Sequence, residues 1–98
     1  MIVVHVEHFL NDEGKAFFPK WLDDVEKRLQ SHRGFLSLRR LERVDHPDGC
    51  HLLLRFESLD LLKKWSSSED HSHLLERLAP FRVQKHISEI YIEKPVRE

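Results

Sequence analysis

Residues 50–81, CHLLLRFESLDLLKKWSSSEDHSHLLERLAPF, change period partway along and thereby limit what the chain can fold into. Cys50, Leu52, Leu54 and Phe56 alternate with His51, Arg55 and Glu57, with Leu53 the one apolar member of the second set. That is a strand, about 50–57, with one apolar face. From Ser58 the spacing becomes helical. Ser58 caps, Asp60 faces the positive end of the dipole, and Leu61, Leu62 and Trp65 form a stripe. Ser68 caps again before Glu69 and Asp70, Leu74, Leu75 and Leu78 form a second stripe, and Pro80 stops it. The spacing predicts a strand feeding a two-part helix, bent near residues 66–68, that lays the Trp65 ring over a sheet.

The same pattern recurs upstream. Residues 2–9 read as a strand, with Ile2, Val4, Val6 and His8 on one face and Val3, His5, Glu7 and Phe9 on the other. Phe17, Phe18, Trp21, Leu22, Val25 and Leu29 predict a helix over about 15–32, with Pro19 tolerated inside its first turn and Gly34 as a left-handed cap. Residues 35–45 read as a strand with imperfect alternation, His46-Pro47-Asp48-Gly49 as the turn after it, and residues 82–93 as the last strand. The order β-α-β-β-α-β predicts a ferredoxin-like α+β domain over 1–98: a four-stranded antiparallel sheet, two helices on one face, and a frayed tail at 94–98. The uncovered face would carry Val3, His5, Glu7, Phe9, Leu53 and Arg55, too apolar for plain exposure. A second copy would cover it, giving a homodimer, and Glu7 would pair with Arg55 across the sheet.

Charge narrows the function classes. The formal net charge is -1, with acidic and basic residues interspersed, so no basic stripe tracks a nucleic-acid backbone. No apolar run approaches the roughly 18 residues of a membrane span, and the first residues read as strand and not as signal peptide. The single cysteine, Cys50, allows no internal disulfide and suits a reducing, cytoplasmic setting, where it reads as a small buried residue. The eight histidines do not make a metal site: His5 and His8 face opposite sides of a strand, His46, His51 and His86 lie on separate segments, and no pair has i, i+4 helical spacing.

Gly34-Phe35, the turn at 46–49, Arg55-Phe56-x-Ser58-x-x-x-Leu62-x-x-Trp65-x-x-Ser68, then Leu74-Leu75 and Pro80, resemble the antibiotic biosynthesis monooxygenase domain family, over about residues 1–93. The resemblance implies a dimeric α+β barrel and a pocket between sheet and helices of each protomer. It implies one of three functions: cofactor-independent oxygenation of an aromatic molecule, haem degradation, or a catalytically silent module that binds a small apolar ligand or only assembles.

Cofactor-free oxygenation needs an electron-rich phenol in a dry aromatic cavity beside a proton acceptor. Trp65, Phe56 and Phe18 are the candidate walls. His8, on the helix-facing side of the first strand, is the candidate base, with His71 second. Each has an ordinary alternative: a tryptophan on an apolar stripe is usually core, a histidine near a strand end usually rim, and His71 and His73, two apart on a helix, usually solvated. The haem-degrading members use a first-strand asparagine, a tryptophan and a helical histidine. Trp65 matches the tryptophan, while His8 and Leu75 stand at the other two positions. No cofactor and no metal is expected.

Overall fold

The structure is a computed structural model and describes residues 1–97. Its elements run β1 (Ile2–Leu10), α1 (Asp12–Leu29), β2 (Phe35–Arg43), β3 (His46–Phe56), α2 (Leu59–Ser66), α3 (Glu69–Leu78), a 3-10 turn (Ala79–Phe81) and β4 (Arg82–Ile92). The four strands form one antiparallel sheet in the order β2-β3-β1-β4. This is the ferredoxin-like α+β architecture, with the second helix split in two at Ser67–Ser68. Both predicted caps form: the Ser58 side chain accepts from the Leu61 N–H and that of Ser68 from the His71 N–H. Glu98, the last residue of the predicted tail, lies outside the described residues.

One face of the sheet meets the helices. Ile2, Val4, Leu52, Leu54 and Phe56 pack there against Phe18, Trp21, Leu22, Val25, Leu62, Trp65, Leu74 and Leu78. α1 and α3 are braced directly, because Trp21 Nε1 donates to the Leu74 carbonyl at 2.8 Å within the core. At the other end of α1, Arg28 and His32 converge on Asp70 at 2.6 and 2.8 Å and fix the start of α3. Those two hydrogen bonds, that of His32 first, hold the Asp70 carboxyl below its usual range. Cys50 is buried, and burial raises its thiol pKa.

Four details differ from the sequence expectations. Helix α1 begins at Asp12, not near 15, because Asn11 caps it by accepting from the Gly14 N–H. Pro19 therefore falls in the interior, on the exposed side, where water can satisfy the Lys15 carbonyl that its missing N–H leaves free. The helix also ends at Leu29, so Gly34 takes its φ of 90° in the loop before β2 and not at the cap. The chain reverses at Val44–Asp45, and β3 already begins at His46. Leu41 faces His51 while Arg43 faces His46, so Glu42 is opposed by Pro47 to Cys50: the Pro-Gly segment is a bulge, not the turn.

The Glu7–Arg55 pair does not form. The two side chains share the outer face, as parity requires, but Val3 and not Glu7 lies opposite Arg55. Arg55 binds Glu93 at 2.6 Å, and Glu7 approaches His51 at 3.6 Å. His51 is buried on this face although no helix covers it. Its ring stacks on His5 at a 5.2 Å centroid distance, and the two share a 3.0 Å hydrogen bond. Leu41, Ile87 and Tyr91 remain exposed.

Candidate functional site

A cleft opens between the helices and the β1–β4 half of the sheet, in two connected parts. The inner chamber, about 70 Å³, lies among Trp21, Val25, Leu38, Leu52, Leu74 and Leu75, with His8 at its wall. The outer chamber, about 270 Å³, is lined by Val4, Leu59, Leu62, Lys63 and Ile90 among others. Val6, Leu54, Trp65, His71, His86 and Ser88 line both and form the junction. Small-molecule pockets usually start near about 300 Å³. The outer chamber approaches that size, and the inner one holds only a head group.

Alternation along β1 places His8 on the helix side with Val4 and Val6, and the ring is 4% exposed. Trp21 meets it edge-on at 5.2 Å, and Phe18 lies 6.1 Å away. His86 is 5.1 Å from it, ring to ring. Across the strand pair, Glu7 faces Ile87 and Phe9 faces Gln84, so Lys85 and His86 together oppose His8. That bulge brings the two imidazoles together. Nδ1 of His8 and Nδ1 of His86 are both buried without a hydrogen-bond partner among the described residues. Burial, then the charges of His86 and Arg82, push the His8 pKa down to about 4. His71 and His86 are lowered as well, chiefly by burial. All three are neutral imidazoles at neutral pH.

Trp65 is held between two histidines. His32 and His71 meet its ring edge-on at 4.7 and 5.4 Å. The second cap fixes His71: Ser68 starts α3, and the third residue of that helix turns back toward Trp65. His73, two residues on, is exposed.

Of the residues singled out from sequence, His8, His71 and Trp65 meet at this cleft. Phe18 and Phe56 do not line it: Phe18 backs His8 from behind, and Phe56 is wholly buried against Phe35, 6.2 Å away. Trp21 and His86 stand beside His8 in the cleft although neither is marked as a site residue by the sequence. In sequence Trp21 is one more member of the apolar stripe of α1. His86 shares parity with Ser88 and Ile90, but nothing local marks the bulge that turns it to His8. The inner chamber alone is too small for a porphyrin, and Leu75, at the helical histidine position of haem-degrading proteins, has no atom that could ligate iron.

Fold and cleft together define a ferredoxin-like α+β domain with a buried, histidine-edged apolar site. The chain has the fold of antibiotic biosynthesis monooxygenase proteins. It is similar to a solved protein of that description over 97% of this chain and 100% of the other, with TM-score 0.80 and 12% identity. A candidate antibiotic biosynthesis monooxygenase from Deinococcus radiodurans matches 100% of this chain and 97% of its own, with TM-score 0.85 and 13% identity. Another from Caulobacter crescentus CB15 matches 96% and 90%, with TM-score 0.82 and 18% identity. At such identities the likeness is one of fold. No family model and no curated protein matches the sequence. Among the described residues, no helix is long and apolar enough to cross a membrane.

Proposed function

We propose that the protein is an oxygenase-like enzyme without bound cofactor, acting on a small aromatic hydroxy compound in this cleft, in the cytoplasm and as a homodimer. The observation that carries the reading is the junction: neutral imidazoles of His71 and His86 beside the Trp65 ring, with His8 on the inner wall, in a mostly apolar cleft. The likeness to proteins described as monooxygenases supports it. In such chemistry the substrate anion gives an electron to dioxygen. A ring CH2 becomes C=O, and its two hydrogens leave with the second oxygen atom as water. The protein's share is to hold the ring against Trp65, exclude water, and hydrogen-bond the oxygen that carries the charge. The exposed apolar residues on the outer face of the sheet, Leu41, Ile87 and Tyr91, support the homodimer.

Oxygen uptake with 1,8-dihydroxyanthrone as probe tests the reading. The expected result is uptake above the protein-free rate that falls sharply in Trp65→Ala and His71→Ala. A second reading, a silent module that binds a small ligand, is favoured by the tightness of the inner chamber, much of whose wall is leucine. Ligand binding without oxygen uptake would select it.

A further inference from the structure

Every ionisable side chain facing the two chambers is basic. β1 supplies His8, α3 His71, β4 His86 and α2 Lys63, while α1, β2 and β3 supply only apolar side chains. Behind them, Arg82 and Lys85 on β4 lie close enough to disfavour protonation of the histidines. Among the described residues no carboxylate lines either chamber. At the inner end, two shielded imidazole nitrogens lack partners and belong to rings 5.1 Å apart.

We infer that the cleft takes a small aromatic acid as its preformed anion, with the acidic group in the inner chamber beside His8 and His86 and the ring along Trp65 toward the outer chamber. The inference rests on the small-molecule reading above and narrows it to compounds already ionised at neutral pH. Three observations lead there. A neutral histidine can carry its one N–H on either ring nitrogen, so His8 and His86, both at the inner wall, can each turn one donor to the chamber, and an anion is the acceptor that rewards both. His8 is a poor base for making that anion from an ordinary phenol. With His8 near pKa 4, moving a proton to it from a phenol of pKa about 10 is uphill by about six powers of ten. A cation, finally, would meet only basic groups and no counter-charge. The sizes agree: the about 70 Å³ inner chamber admits the acidic group, and the about 270 Å³ outer one the ring.

The bound anion favours protonation of the flanking imidazoles, so binding takes up protons as the pH falls while the ligand stays ionised. Titration calorimetry at pH 7.5 with probes of similar size tests this: 2,4-dinitrophenol and benzoate as anions, phenol and benzyl alcohol as neutral molecules, benzylamine as cation. The anions are expected to bind at least about tenfold tighter than the neutral probes, the scale of a hydrogen bond to a charge. Repeating the titration at pH 6.5 in two buffers of different ionisation enthalpy should show net proton uptake. His86→Gln, on a half-buried edge-strand position and checked for folding by circular dichroism, should reduce the anion-to-neutral ratio about tenfold. Equal affinity for anions and neutral probes, tight binding of benzylamine, or an unchanged ratio in His86→Gln would overturn the inference and leave the small-molecule reading standing. No binding of any probe at millimolar concentration would overturn both.

Discussion

His8→Leu should stabilise the protein at neutral pH and flatten its response to acid. The imidazole is 4% exposed, packs on Trp21 and Phe18, and leaves Nδ1 without a partner. A buried unsatisfied polar atom costs about 1–3 kcal/mol, and leucine of similar bulk removes it. The second effect is linkage. His8 titrates near 6.5 when unfolded and about 4 when folded. Above pH 6.5 both states are neutral there and nothing is lost. Between pH 6.5 and 4 the unfolded chain binds the proton and the folded one does not, so stability falls as pH falls, by about 3 kcal/mol in total. The leucine variant lacks this loss. Urea unfolding followed by tryptophan fluorescence, at pH 7.5 and 4.5, measures both effects. The wild type should lose about 2–3 kcal/mol more than the variant between those pH values. Equal losses would refute the account of His8 as a buried neutral imidazole. A variant less stable at pH 7.5 by the about 2–5 kcal/mol of a core cavity would refute the unsatisfied nitrogen as a cost.

Three further outcomes are expected. Trp65→Ala should lose less than the about 3–5 kcal/mol of a fully packed aromatic, because the residue already borders both chambers, and Trp65→Phe should melt near the wild type. Gly34→Ala should cost more than about 1 kcal/mol in a denaturant titration, since φ is 90° and the added Cβ would sit 2.6 Å from a Leu61 methyl. Sedimentation equilibrium at micromolar concentration should give twice the 11.8 kDa chain mass, and Ile87→Lys, on the outer sheet face, should shift it to the monomer.

Local signals are legible in the sequence and register is not. Ser58 and Ser68 announced both halves of the second helix because a cap and a stripe act within a few residues. Asn11 carries the same signal for α1, and as its cap it starts the helix at Asp12 and leaves Pro19 in the interior. Pro47 and Gly49 look like a reversal, yet pairing of Leu41 with His51 turns them into a bulge, and pairing is a property of two distant segments. Parity put Glu7 and Arg55 on one face correctly but could not say that Val3 stands opposite Arg55. The cleft was half legible for the same reason. His8, His71 and Trp65 follow from periodicity within their own elements, whereas His86 reaches His8 only through a bulge set between β1 and β4.

The strand order β2-β3-β1-β4 has a consequence for how the chain is made. β1 leaves the ribosome first but sits inside the sheet, and its neighbours emerge much later. β3 comes after α1 and β2, and β4 after everything else in the fold. Until then β1 carries open hydrogen-bonding edges, and the apolar stripe of α1 has little to lie on. The sheet therefore closes only after β4 is released, so the nascent chain passes through a period in which two bare strand edges invite foreign partners. The same delay governs the cleft: His8 is synthesised early but gains His86 as a neighbour only when the last strand docks.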